Sequence, residues 1–184
     1  VLEVGAGEGE LAAALAAAGY VVTAIDPEPR GGDVHGVALA DLRAEPGTFE
    51  AAVAIRSLHH VHPLAQSLER LADVLRPGAA LVIDEMDVVA FDRRAADWWL
   101  RQQAALGRAR DVSPQQLVDE HRAHLHPLDA IVAALAAWFD LGAAVRGPWL
   151  YRWDLGDAFR DEEERLISAG QLPAVGARFV AVRR

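Results

Sequence analysis

The first 26 residues, VLEVGAGEGELAAALAAAGYVVTAID, constrain the fold more than any other stretch of this 184-residue chain. Val1 to Val4 is an apolar run interrupted by Glu3, GAGEG is a turn, and Leu11, Leu15 and the alanines around them suit a helix ending at Gly19. Tyr20 to Ile25 is β-branched and apolar and stops at Asp26-Pro27, where proline cannot continue a central ladder. The pattern is strand, loop, helix, strand. Glycines at 5, 7 and 9 let the backbone turn sharply and approach a ligand with no Cβ in the way, and the helix start behind them offers N–H groups. Because the chain opens on Val1 already inside a strand pattern, residues upstream of Val1 are expected to be missing.

The alternation continues. Val34 to Leu39 reads as a weak third strand, Ala51 to Ile55 as a fourth, and Leu64, Leu68, Leu71, Val74 and Leu75 recur at helical spacing behind Pro63. Arg76-Pro77-Gly78 is expected to end that helix before a fifth strand, Ala79 to Ile83. Strands alternating with helices imply a parallel sheet with right-handed crossovers and ligands at the strands' C-terminal ends. From Asp84 to Leu128 the pattern changes to an amphipathic piece with Trp98 and Trp99, a charged stretch, a Ser113-Pro114 helix start and a histidine-containing segment. A helical insertion over the sheet edge is expected here. Leu128 to Phe139 reads as a core helix, Ala143 to Asp154 as a strand broken at Gly147-Pro148, Asp157 to Ala169 as a helix and Val175 to Val182 as the last strand.

Length and composition fit a single domain over residues 1–184, with 52% apolar and 24% charged residues. The 18 Lys and Arg against 27 Asp and Glu leave a formal charge of −9, so nucleic acid is not an expected partner. No apolar run reaches the roughly 18 residues of a membrane span, and the N-terminus has no signal-peptide core, so a cytoplasmic protein without membrane partner is expected. The absence of cysteine excludes a disulfide, a thiolate nucleophile and Cys-ligated zinc.

A dinucleotide loop follows G-x-G-x-x-G, yet position 10 is Glu10, and acidic residues at 3, 8 and 10 would repel a pyrophosphate. They suit a cation. S-adenosylmethionine carries a sulfonium and an ammonium and no phosphate, so charge complementarity favours it over NAD. Asp26 can accept both ribose hydroxyls, a role NAD proteins share.

VLEVGAGEG resembles the first motif of the class I methyltransferases of the small-molecule type, and AIDPEP resembles their second. FEAAVAIRSLHHV is similar to their fourth strand with trailing histidines, and LERLADVLRPGAALVIDE to the following helix and fifth strand. Four motifs in order cover roughly residues 1 to 90. The resemblance implies an α/β, Rossmann-like class I methyltransferase fold with a mostly parallel seven-stranded sheet, an antiparallel final strand, and residues 86–127 as a helical, substrate-side cap. It implies that Glu3, Gly5, Ala6, Gly7 and Gly9 surround the methionine moiety, that Asp26 holds the ribose, and that Ile55 and Arg56 line the methionine side. The family's adenine-contacting acid usually follows strand three in a G-D-A-like pattern; here the text is GVALADL, and Asp41 stands in for it beside an apolar slot of Pro27, Val37 and Leu42.

Methyl transfer is an in-line displacement at carbon, so a protein aligns the acceptor and, optionally, removes its proton. A base belongs beyond strands four and five, where His59 and Glu85 lie. Some natural-product sugar O-methyltransferases of the family use a histidine and an acid at these places, which implies His59 as base and Glu85 as the group that orients it. The competing reading is that His59 and His60 are a helix-start signature that packs or caps. His121, His124 and His126 with Asp119 and Glu120 match no metal-binding spacing, so no metal is expected. Trp149, Tyr151 and Trp153 alternate as residues sharing one strand face would, and Asp161 to Arg165 reads as a solvated helix face. The function expected is methyl transfer to a small organic acceptor. Alternatives are a relative that binds the cofactor without methylating, as a regulatory or scaffold subunit, and an NAD-dependent oxidoreductase, disfavoured by Glu3 and Glu8.

Overall fold

A computed structural model describes residues 1–184. The N-terminal pattern forms β1 (Leu2–Val4), α1 (Glu10–Ala17) and β2 (Thr23–Asp26). The second strand begins at Thr23 and not at Tyr20, because β1 offers partners only from Leu2↔Thr23 to Val4↔Ile25; Tyr20 and Val21 stay exposed. β3 is reduced to His35–Gly36, since its partner β2 ends at Asp26 before Pro27. Val37 and Ala38 of the expected third strand are irregular, and a 3-10 turn, Leu39–Asp41, begins at its last residue.

β4 (Phe49–Ile55) leads through a 3-10 turn at Leu58–His60 to α2 (Leu64–Val74), whose Leu68, Leu71, Ala72 and Val74 are buried. Arg76-Pro77-Gly78 does not separate helix from strand. β5 runs from Leu75 to Met86, and the proline is accommodated where the register slips between Phe49↔Leu75 and Ala51↔Ala80, an irregularity that frees proline from the ladder. Further along come α3 (Arg93–Ala105), α4 (Pro114–His124), α5 (Leu128–Leu135), β6 (Phe139–Leu141), β7 (Val145–Gly147), α6 (Arg160–Ser168) and β8 (Gly176–Arg183). Thus Phe139 opens a strand, where a helix end was expected.

The sheet order is β3-β2-β1-β4-β5-β8-β6, with β7 pairing β8 as an additional short strand. β1 to β5 pair in parallel, and β6 runs antiparallel to the final strand β8, from Phe139↔Arg183 to Leu141↔Ala181. This is the mostly parallel, Rossmann-like sheet that the motifs imply.

The chain divides into two compact units. Residues 1–85, 129–144 and 178–184 form the first, which carries the glycine loop and the ends of β1, β2 and β4. Residues 86–128 and 145–177 form the second, so it draws on the C-terminal region as well as on the segment read as an insertion. The second unit has its own core around Phe91, Trp98, Trp99, Leu117, Trp149 and Leu150. Its helices are capped as their sequences dictate: Asp92 accepts from Arg94 and Ala95 N–H at the start of α3, and Ser113, Pro114 and Gln116 make a capping box on α4.

One reading fails here, and a second fails at a single residue, Glu163, while Asp161, Glu162, Glu164 and Arg165 are exposed as expected. Trp149, Tyr151 and Trp153 do not alternate on a strand, because β7 stops at Gly147 before Pro148 and a 3-10 turn occupies Leu150–Arg152. The Trp149, Leu150 and Tyr151 N–H groups that would have fed a ladder donate at 2.8–2.9 Å to the carboxylate of Glu163. Glu163 is therefore fully buried, whereas the acidic run from Asp161 to Arg165 was expected to be solvated. The helix expected from Asp157 is likewise split into a 3-10 turn, Asp157–Phe159, and α6.

Candidate cofactor and active site

Gly5, Gly7 and Gly9 all take positive φ, at 75°, 54° and 77°, as a turn this tight requires. Four of its donors are engaged within the protein. Gly5 and Ala6 N–H both donate to the Ile25 carbonyl at 2.9 and 3.0 Å, Gly9 N–H to the Ala6 carbonyl at 2.8 Å, and Gly7 N–H to Asp26 Oδ2 at 2.9 Å. Gly9 offers α1 no side-chain cap. Glu3 supplies one from β1: its carboxylate accepts the Ala12 N–H and occupies the helix end that a pyrophosphate uses in dinucleotide folds. Burial raises the Glu3 pKa above the ordinary carboxylate value, and the Ala12 N–H offsets part of that rise. A loop with occupied donors and a carboxylate at its helix end does not fit phosphate. It does fit S-adenosylmethionine, which has none and is cationic at sulfur.

The segment after β2 folds over this loop. Asp26 Oδ1 accepts from Glu28 N–H at 2.9 Å, and Arg30 N–H donates to the Gly7 carbonyl at 2.9 Å. A Cβ on Gly32 would stand 2.7 Å from the Glu8 carbonyl oxygen, so only glycine permits the approach. The Arg30 guanidinium comes within 3.1 Å of where a Gly7 Cβ would be. Sequence reasoning did not find Arg30 or Gly32; the Gly31-Gly32 doublet shortly after Asp26 was the available signal. Pro27 and Asp41 are exposed, Val37 is half-buried, and Leu42 is buried with its carbonyl accepting from Arg70 Nε of α2 at 2.8 Å.

At the end of β4, Ile55 sits opposite Asp84 of β5. Arg56 follows in the left-handed region at φ 58°, sparsely populated by residues with a Cβ, and its N–H donates to the Asp84 carbonyl at 2.8 Å. Ser57, also missed by sequence reasoning, abuts the glycine loop: a Cβ on Gly5 would lie 2.3 Å from the Ser57 Cβ. Glu85, 0% exposed, gathers the turn that follows. Its Oε1 accepts the Ser57 and Leu58 N–H groups at 2.9 and 2.6 Å, and its Oε2 pairs with His59 Nδ1. His59 and Glu85, chosen from sequence, are thus in direct contact and both buried. With the carboxylate ionised it can only accept, which assigns the proton to Nδ1 and leaves Nε2 as the basic nitrogen of a neutral ring.

His60 packs against His59 with ring centroids 4.3 Å apart, and two further histidines are held on α4. His121 Nδ1 and His124 Nδ1 each lie 2.8 Å from the carbonyl one turn back, of Leu117 and Glu120. His121 also packs against Trp153, which stacks on Trp99 at 3.9 Å, and Trp99 Nε1 donates to the Trp153 carbonyl at 2.7 Å.

The mostly parallel sheet with its antiparallel last pair and the glycine loop after β1 are those of a Rossmann-like, class I methyltransferase fold. The chain belongs to the methyltransferase domain family, which matches residues 1–134. A curated relative, the ubiquinone biosynthesis O-methyltransferase of Xylella fastidiosa (strain 9a5c), is 35% identical over 102 residues. That match takes in 47% of this chain and 42% of the relative, so the chain spans well under half the length of that enzyme. Among solved structures, an S-adenosylmethionine-dependent methyltransferase from Mesorhizobium loti aligns over 99% of this chain and 90% of its own at a TM-score of 0.63 and 17% identity. The 1,6-didemethyltoxoflavin-N1-methyltransferase of Burkholderia thailandensis, solved with its substrate and S-adenosylhomocysteine, aligns over 99% and 69% at 0.58 and 20% identity. The cofactor is S-adenosylmethionine. No helix is long and apolar enough to cross a membrane.

Proposed function

We propose that the protein transfers a methyl group from S-adenosylmethionine to a small organic acceptor, with His59 as general base and Glu85 orienting it. When bound, the cofactor supplies a methyl group made electrophilic by the sulfonium. Glu3, Gly5, Ala6, Gly7 and Gly9 with Ile55 and Arg56 border its methionine part; Asp26 receives the ribose, and Pro27, Asp41 and Leu42 the adenine. His59 takes the acceptor's proton at Nε2 while Nδ1–H stays on Glu85.

The observation that carries this reading is the buried Glu85–His59 pair, held at the turn that abuts Gly5 of the cofactor loop. It is tested by screening candidate acceptors for release of S-adenosylhomocysteine and then measuring His59→Ala on the acceptor found. Turnover should fall by about 10²- to 10⁴-fold, the usual contribution of a positioned base, with cofactor affinity nearly unchanged. Undiminished turnover would leave His59 a packing residue, and cofactor binding with no acceptor methylated would point to the non-catalytic alternative.

A further inference from the structure

We propose that the two oxygens of Glu85 have separable duties: Oε1 fixes the cofactor loop by way of Ser57, and Oε2 fixes the tautomer of His59. The first half rests on the proposed function, in which the glycine loop borders the cofactor; the second rests on the contact of Glu85 with His59.

Oε1 accepts both N–H groups that open the turn, Ser57 and Leu58. Ser57 in turn stands where a Cβ on Gly5 would be, so the place of its backbone limits how the glycine loop can lie. The Ser57 hydroxyl is buried without a hydrogen-bond partner, so the residue is held through its main chain, and the bonds to Glu85 are charge-assisted. Glu163 offers a comparison in the second unit. It is also fully buried and also gathers the N–H groups heading a 3-10 turn, but with both oxygens on backbone. Glu85 gives only one oxygen to that task and turns the other to an imidazole. It acts as a positioning residue on both sides of the site.

An amide in place of this carboxylate separates the duties. Two backbone donors face Oε1, so in Glu85→Gln the amide oxygen must take that side and the NH₂ must face His59, forcing Nδ1 to accept and the ring proton onto Nε2. Calorimetry with S-adenosylhomocysteine and ¹⁵N NMR of the histidine rings read the two halves independently. Glu85→Gln should bind S-adenosylhomocysteine within about threefold of the parent while its His59 proton moves to Nε2. Glu85→Ala, which leaves the turn without its acceptor, should bind about tenfold or more weakly. Ser57→Gly, which withdraws the Cβ from Gly5, should weaken binding with the tautomer unchanged, and it serves where thermal melts show Glu85→Ala unfolded. Parental affinity in Glu85→Ala or Ser57→Gly overturns the first half; a proton retained on Nδ1 in Glu85→Gln overturns the second. Neither readout needs turnover, so the result stands apart from whether His59 proves to be the base.

Discussion

Gly5 and Glu3 show how single residues in the first motif are constrained from opposite sides. Gly5→Ala meets both a left-handed φ and the Ser57 Cβ at 2.3 Å. It should cost more than about 2 kcal/mol in urea unfolding and abolish measurable S-adenosylhomocysteine binding. Gly19→Ala also has positive φ, 93°, but nothing lies within 4 Å, so only the backbone penalty of about 1 kcal/mol is expected. For Glu3 the pKa is higher folded than unfolded, so its favourable contribution is present below the ordinary value of 4.5 and is lost as pH rises through the folded value. Glu3→Gln keeps an acceptor for the Ala12 N–H without the charge. Its Tm should exceed the parent's at neutral pH, and the gap should close on acidification below that ordinary value; a gap independent of pH would count against burial as the cause. The glycines and acids of this motif were legible because their constraint is local in the chain. Ser57 was not, because only folding brings it to Gly5.

Among the elements, α6 carries the clearest lesson about what a charge pattern conceals. Within its acidic run Glu163 lies three and four positions before Leu166 and Ile167, which are half-buried, so helical spacing puts all three on one face. That spacing was readable, but the surrounding Asp161, Glu162 and Glu164 outweighed it. Having captured three backbone donors, Glu163 also decides that residues 149–151 turn and do not extend β7, which no local propensity of a Trp-Leu-Tyr sequence foretells. Glu163→Ala would leave three buried donors without an acceptor, at about 1–3 kcal/mol each. A loss above about 3 kcal/mol is expected in urea unfolding, with Glu163→Gln recovering part of it. By contrast, β1, β4 and the capped start of α4 follow their sequences closely, since an apolar run marks a strand whatever its partner and Ser-Pro-x-Gln caps its own helix.

For the whole molecule, the residues proposed to hold the cofactor all belong to the first unit. S-adenosylhomocysteine at about one hundred times its Kd should stabilise the folded protein by about 2.7 kcal/mol. Hydrogen exchange should slow around residues 5–9, 26–30 and 56–59. Protection spread evenly over both units would contradict that division. The occupied donors of the glycine loop also bear on redesign. Refitting this fold for a dinucleotide would not begin with a glycine at position 10. It would begin by removing Glu3, the buried carboxyl group beside the first turn of α1, and then by releasing Gly7 from Asp26, so that evolution toward such a ligand would have to pass through a loop with neither support in place.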